Sequence, residues 1–153
     1  MRITFVGSGH GVPSAERHCS CVMLEVNDAL YFIDAGAPLI DEILRREKDL
    51  NRVRAVFTTH RHGDHISGLF NMAGLIEWYY KTASVAFYLT DEDTKKLVED
   101  YMYVTLYNQP TFERVSLQIA QEGLVYRDEN ISVHYFLTKH GVNKKKFSPS
   151  YGI

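Results

Sequence analysis

A short stretch near the middle of the chain concentrates side chains that bind metal ions. Three histidines and one aspartate fall within six residues, as His60, His62, Asp64 and His65. Imidazole nitrogen suits zinc and other first-row metals, and a carboxylate adds negative charge that balances the cation. The pattern predicts a metal site. The alternative is a surface histidine cluster that holds no metal.

The spacing within the stretch suggests two cations rather than one. Side chains two residues apart on an extended chain point to the same side, so His60 and His62 can reach a single ion. Asp64 and His65 lie beyond the expected bend of the chain. They are therefore better placed for a second ion beside the first.

The neighbouring elements must hold these side chains in position. An apolar run over 53–58 predicts a buried strand before the stretch, and apolar residues at helical spacing predict a helix over 66–80 after it. Further helices are expected after Pro38 and after Thr90. Further strands are predicted at 3–6, 21–26, 30–33, 85–89, 115–119, 124–126 and 131–137.

Three finer expectations concern burial and capping. The first of these helices is expected to bury Leu44 and to turn Glu42 outward. Thr90 and Asp93 resemble a capping box, which places Thr90 at the start of its helix. The tyrosines and Trp78 lie mostly at apolar-face spacing, so we expect them in the core before we expect a stacking platform.

Other candidate functional residues lie outside the central stretch. His140 ends the last alternating run and precedes a glycine, so it also lies at a strand end. His10 lies in a glycine-rich loop that could border a pocket. A run of lysines at Lys144, Lys145 and Lys146 is either a solvated turn or, beside a metal site, a contact for substrate phosphate. His10 and the three lysines are therefore candidate substrate-binding residues.

The two cysteines offer weaker evidence of chemistry. Cys19 and Cys21 are the only ones, and so close a pair makes an awkward disulfide. With His18 beside them they could form a small metal site, but this falls short of the four ligands of a structural zinc. We favour buried thiols.

Length and charge place limits on the class of protein. A chain of 153 residues is long enough for one domain with a core. The formal net charge of −2 gives no global attraction to nucleic acid. No apolar run reaches eighteen residues, and the N-terminus lacks the pattern of a signal peptide. These observations predict a cytoplasmic protein with no membrane segment.

Four pieces of the sequence carry a family resemblance, and they are Phe5–Ser14, Phe32–Gly36, Thr59–Leu69 and His140. Together they resemble the metallo-β-lactamase superfamily, most closely its ribonuclease Z-like branch. The resemblance implies an α/β fold, an αββα sandwich with a two-metal site at one edge. Residues 1–153 would form a single, incomplete domain, the N-terminal portion of the sandwich.

The resemblance also implies a role for each site residue. Asp34 would hold the ligand loop in position without binding the metal itself. Asp64 would orient the attacking water. Zinc is the expected metal, with one or two ions per complete site and manganese or iron as alternatives. The family's bridging aspartate and last histidine have no counterpart after His140. The ligands would be His60, His62 and His140 for the first metal, and Asp64 and His65 for the second.

The function implied is metal-dependent hydrolysis, with a phosphodiester as the preferred substrate class and RNA as one candidate. One alternative is another ester class, such as a thioester, lactone or sulfate ester. A second is a metal-binding protein without catalysis. Because part of the sandwich would be uncovered, we also expect self-association.

Overall fold

Two β-sheets and three α-helices make up the computed structural model, which describes residues 1–12, 14–108, 111–140 and 149–153. The strands are β1 (Arg2–Gly7), β2 (Cys21–Val26), β3 (Ala29–Ile33), β4 (Val53–Phe57), β5 (Val85–Leu89), β6 (Val115–Ile119), β7 (Gly123–Arg127), β8 (Ser132–Leu137) and β9 (Tyr151–Gly152). The helices are α1 (Leu39–Arg45), α2 (Gly63–Trp78) and α3 (Glu92–Thr105), with a short 3-10 helix (Leu50–Arg52) before β4.

The larger sheet has six strands in the order β1-β2-β3-β4-β5-β6. Strands β1 to β3 are antiparallel neighbours, and β3 to β6 run parallel. Helices connect the parallel strands, as crossover connections require. The smaller sheet is antiparallel, in the order β7-β8-β9.

Two hydrophobic cores define three layers. One core lies between the larger sheet and the helices, and includes Phe87 and Met72, both fully buried. The other lies between the two sheets, where Phe57 of β4 and Tyr135 of β8 are buried. The order of layers is helices, larger sheet, smaller sheet. This is a mixed α/β architecture, and no helix in the described part of the chain covers the outer side of the smaller sheet.

The expected strands and helices are present, but the burial on α1 differs from the prediction. Leu44 is 51% exposed, and Glu42 is buried. The carboxylate of Glu42 forms ion pairs with Arg46, with Arg45 at 2.9 Å and with His18 at 3.3 Å. These ion pairs offset the free-energy cost of burying the charge of Glu42. The apolar pattern of the helix did not indicate them.

Two further expectations are corrected. The cap of α3 is Asp91, whose side chain accepts a hydrogen bond from the amide of Thr94, and Thr90 precedes it. Trp78 is 61% exposed and Tyr107 is 89% exposed, so the aromatic residues are only partly in the core. Both lie at or beyond the C-terminal end of a helix, where the apolar face no longer meets the sheet.

No helix within the described residues has both the length and the apolar character needed to cross a bilayer.

Candidate metal centre

The carboxyl ends of β3 and β4 meet at one edge of the larger sheet. The ladder continues one residue past each strand, because Asp34 donates from its amide to the carbonyl of Phe57 at 2.8 Å and Thr58 donates to Tyr88 at 3.0 Å. The segment from His60 to His62 follows directly. In open α/β sheets this edge is where ligands bind, so the position of the segment is typical of a functional site.

Three imidazoles converge at this edge. Ligand atoms of His60, His62 and His140 all lie within 4.8 Å of one another. Among the described residues, this is the group of metal-binding side chains that converges so closely. His60 Nε2 and His62 Nδ1 lie 3.0 Å apart. The His140 ring lies with its centroid 4.6 Å from that of His60 and 5.5 Å from that of His62. Residues eighty apart in sequence thus share one small space.

The smaller sheet brings His140 to this position. Strand β8 ends at Leu137, as predicted, so His140 lies three residues beyond the strand and not at its end. The hydroxyl of the buried Tyr135 donates to the carbonyl of Thr58 at 3.1 Å, and the amide of Tyr151 donates to the carbonyl of Thr59 at 2.9 Å. These contacts attach the smaller sheet to the end of β4.

Asp34 anchors the other side of the group. It is buried and has a backbone φ of 59°, a left-handed conformation that aspartate tolerates better than most residues. Its carboxylate accepts from the amide of Thr59 at 2.8 Å, from the Thr59 hydroxyl at 3.0 Å and from the Ser20 hydroxyl at 3.2 Å. Nδ1 of His65 lies 2.6 Å from the same carboxylate.

His65 and Asp64 lie beside the three-imidazole group, in the first turn of α2. The helix begins at Gly63, three residues earlier than predicted, so both residues belong to the helix. The ring centroid of His65 is 4.0 Å from that of His60, and its Nε2 is 3.4 Å from a carboxylate oxygen of Asp64. Because Asp34 holds Nδ1, Nε2 is the nitrogen of His65 left for other contacts.

Close backbone contacts fix this first turn. The amide of Ala35 donates to the carbonyl of His65 at 2.7 Å, and the amide of Gly68 donates to Ala35 at 2.7 Å. A Cβ atom at Gly36 would lie 2.4 Å from the backbone oxygen of Asp64, so only glycine fits there. A Cβ at Gly11 would lie 3.6 Å from the Asp64 carboxylate, which places the glycine-rich loop against Asp64.

The pKa shifts at the site follow from burial and from neighbouring charges. Burial, together with the nearby rings of His65, His62 and His140, lowers the pKa of His60 to about 4. Burial alone would also lower the pKa of His65, but the hydrogen bond and charge of Asp34, with the charge of Asp64, raise it above the ordinary value. His60 is therefore neutral near pH 7, with a ring nitrogen lone pair available to a cation.

Two other histidines, His10 and His134, do not belong to the three-imidazole group. His10 is exposed, and its Nδ1 accepts from the amide of Val12 at 3.2 Å. His134 is exposed in the middle of β8. Lys144, Lys145 and Lys146 lie outside the described residues.

The two cysteines are free thiols. Burial, with a contribution from the charge of Asp34, raises the pKa of Cys21 to about 12, so this thiol stays protonated. His18 forms an ion pair with Glu42 at 3.3 Å. In the part of the chain that the structure describes, His18, Cys19 and Cys21 do not form a group with converging ligand atoms.

Two residues of the site were not predicted from sequence. Thr59 precedes the first histidine and bonds to Asp34 through both its amide and its hydroxyl. Ser20 reaches Asp34 from the loop before β2. The preference of a strand-end carboxylate for nearby hydroxyls could have suggested Thr59, whereas the contact of Ser20 depends on tertiary packing alone.

The chain matches one protein family over its whole length. Residues 1–153 match the family model described as "Anti-Pycsar protein Apyc1". Curated relatives include ribonuclease Z of Microcystis aeruginosa, 30% identical over 146 residues, which span 93% of this chain and 44% of the relative. Ribonuclease Z of Bacillus mycoides is 29% identical, over 93% of this chain and 47% of the relative. The chain thus spans less than half the length of these relatives.

Solved structures share the fold. Human tRNase Z, short form (ELAC1), superposes with a TM-score of 0.74 at 21% identity, over 97% of this chain and 61% of that one. The metallo-β-lactamase fold protein YhfI of Bacillus subtilis gives 0.72 at 18% identity, over 97% and 54%. Zinc-bound PqqB of Methylobacterium extorquens gives 0.58 at 18% identity, over 89% and 55%. The expected resemblance to ribonuclease Z-like metallo-β-lactamase proteins is confirmed, and the chain belongs to the anti-Pycsar protein Apyc1 family.

Proposed function

We propose that this chain is a metal-dependent hydrolase that acts on phosphodiesters. The observation that carries the proposal is the convergence of His60, His62 and His140, whose ligand atoms lie within 4.8 Å of one another. They come from the ends of two different sheets. Imidazole ligand atoms that converge from two different sheets support the binding of one cation.

The donor set fits zinc. Three imidazoles and a water complete the four-coordinate arrangement of a catalytic zinc site with one open position. The lowered pKa of His60 favours the neutral ring that a metal requires, because a protonated nitrogen has no lone pair to donate. Zinc-bound PqqB shares the fold. Manganese and iron also accept imidazole and carboxylate ligands and remain alternatives.

Asp64 and His65 are the proposed ligands of a second cation. The hydrogen bond between His65 Nδ1 and Asp34 fixes the ring and directs Nε2 toward Asp64. Within the described residues this second set has two members against three for the first. We therefore expect the second cation to bind more weakly than the first.

The chemistry proposed is hydrolysis by an activated water. A divalent cation at the site supplies Lewis acidity, which favours ionisation of water near neutral pH and stabilises charge on a phosphoryl oxygen. In this proposal the carboxylate of Asp64 orients the water and accepts its proton. Asp34 keeps His65 and Thr59 in place and takes no direct part.

The proposed substrate class rests on the relatives. Ribonuclease Z and human tRNase Z act on RNA by their names, and we propose a phosphodiester, with RNA as one candidate. His10, in the loop that borders Asp64, and Lys144, Lys145 and Lys146 are proposed substrate contacts. A non-catalytic metal-binding protein is the second candidate, because the second ligand set is the smaller one.

Hydrolysis of bis-(p-nitrophenyl) phosphate tests the proposal. We expect turnover that requires added zinc or manganese and falls at least about 100-fold in His62→Ala, as loss of a metal ligand predicts. His134→Ala, an exposed histidine outside the site, is the matched control and should retain activity. Equal turnover by His62→Ala and the unmodified chain would contradict the proposal. Stoichiometric zinc binding without any turnover would support the non-catalytic candidate, and thioester and lactone substrates assayed in parallel would reveal another ester class.

We also propose that the chain self-associates. Leu124 and Phe136 are each at least half exposed on the outer side of the smaller sheet, and Ile3 and Phe5 are similarly exposed on β1. Apolar side chains grouped on a sheet surface favour contact with another protein surface.

A further inference from the structure

Two hydroxyl-bearing residues, Thr138 and Ser150, form hydrogen bonds with each other near His140. The amide of Thr138 donates to the carbonyl of Ser150 at 2.9 Å. Thr138 Oγ1 and Ser150 Oγ lie 2.9 Å apart, and Ser150 Oγ also donates to the carbonyl of Thr138 at 3.3 Å. These three contacts form the Thr138–Ser150 clamp.

The clamp is more than the end of a strand pair. Ser150 is 4% exposed, so its hydroxyl is a buried polar group. Strand pairing needs only the backbone bond between the two residues, and an apolar side chain would suit a buried position equally well. Because each hydroxyl supplies the partner that the other needs, the two fix both the backbone and the side chains of the pair.

The clamp connects the two halves of the candidate metal centre by a short path. His140 follows Thr138 by two residues, and Tyr151 directly follows Ser150. The amide of Tyr151 donates to the carbonyl of Thr59, the residue before His60. A displacement of either clamp residue would therefore move the His140 ring relative to His60.

We propose that Thr138 and Ser150 are positioning residues that hold His140 against His60 and His62 for metal binding. The inference rests on the proposed function, because it concerns the same three imidazoles. His140 is exposed, and its backbone lies beyond the last pair of β8. Without the clamp, metal binding would have to order the His140 ring, and the conformational entropy lost would weaken the affinity. With the clamp, the ring is already ordered before the metal binds.

Zinc affinity of the full chain, freed of metal and measured by competition with a chelating indicator, tests the clamp. Thr138→Val keeps the shape of the side chain and removes the hydroxyl. We expect its zinc dissociation constant to rise about 3- to 10-fold, as the loss of one hydrogen bond predicts. Ser150→Ala is a second variant with the same expectation. Thr138→Ser retains a hydroxyl and should restore the affinity, and Lys139→Ala, an exposed neighbour, should leave it unchanged.

The same titration in a His140→Ala background separates positioning from general stability. If the clamp acts through His140, Thr138→Val has no further effect on zinc affinity there, while the thermal midpoint of the metal-free protein falls equally in both backgrounds. An equal loss of zinc affinity in both backgrounds, or an unchanged zinc affinity in Thr138→Val, would contradict the positioning role of the clamp. An unmodified chain that binds no zinc would instead contradict the proposed function, so the two failures are distinguishable.

Discussion

The carboxylate of Asp34 accepts hydrogen bonds from residues on three sides of the candidate metal centre. Thr59 and Ser20 donate to it, and His65 lies within 2.6 Å. One buried group thus links the loop before β2, the end of β4 and the start of α2. Because one candidate ligand, His65, and the residue before His60 both bond to this acceptor, the site should be sensitive to its charge.

Replacing Asp34 with asparagine should therefore weaken both folding and metal binding. Asparagine tolerates the left-handed backbone at this position, so the change acts mainly on charge and acceptor capacity. We expect the free energy of unfolding, from urea titration, to fall by roughly 1–3 kcal/mol. Asp28→Asn, at a fully exposed turn, should have little effect. Equal stability of the two variants would contradict the role of Asp34.

Glu42 gives a prediction about pH. The hydrogen bond and charge of Arg46 outweigh burial and lower the pKa of Glu42 below its usual 4.5. A carboxylate with a depressed pKa contributes stability that is fully present above pH 4.5 and is lost as the pH falls through the folded pKa. Glu42→Gln should therefore cost roughly 1–3 kcal/mol at pH 7, and this difference should shrink toward pH 3.

Urea titrations of Glu42→Gln at several pH values check this expectation. Asp41→Asn, on the exposed side of the same helix, is the control and should show no such convergence. A stability difference for Glu42→Gln that is constant from pH 7 to pH 3 would show that its ionisation is not the cause.

At the scale of elements, α2 carries the site through its first turn and is held close to the loop after β3. A Cβ at Gly68 would lie 2.8 Å from the carbonyl oxygen of Ala35 and 2.8 Å from Cβ of Leu39. Gly74, six residues further along the same helix, has open space around it. Gly68 therefore allows the close approach of α2 to the loop after β3, whereas Gly74 has no such role.

Alanine at these two positions should change stability in opposite directions. Gly74→Ala should raise the free energy of unfolding by about 1 kcal/mol, because alanine favours the helix and meets no neighbour. Gly68→Ala should lower it, because the helix must shift away from Ala35. Urea titration of both variants measures the pair. A stabilising Gly68→Ala would show that the close approach of α2 is not required.

The sequence predicted individual elements better than the contacts between them. Alternating apolar residues located β6 and β8 because burial on one face leaves a period of two. The start of α2 was placed three residues late, because the bond between Ala35 and His65 that stabilises its first turn lies between distant segments. The burial of Glu42 was missed for the same reason.

The site residues could be proposed from sequence because their chemistry is local. His60, His62, Asp64 and His65 stand within six residues, and the strand-end position of His140 suggested the same cluster. The supporting contacts of Ser20 and of the Thr138–Ser150 clamp could not be proposed from the sequence. They are made by ordinary hydroxyl residues whose importance arises only from their tertiary partners.

At the scale of the whole molecule, the exposed apolar residues of the smaller sheet predict self-association. Sedimentation velocity should give a mass above that of the 17.6 kDa monomer, increasing with protein concentration. Replacing Leu124 and Phe136 together with serine should shift the distribution toward the monomer. Val104→Ser, which removes an exposed apolar residue from α3, is the control and should not. A monomer at every concentration would contradict the prediction.

The central claim is that one cation is held by imidazoles from both sheets. X-ray absorption at the zinc edge, on the chain loaded with one equivalent of zinc, counts the imidazole ligands directly. The account predicts three imidazoles in the unmodified chain, two in His140→Ala and three in His134→Ala. Fewer than three in the unmodified chain, or a spectrum that His140→Ala leaves unchanged, would contradict it.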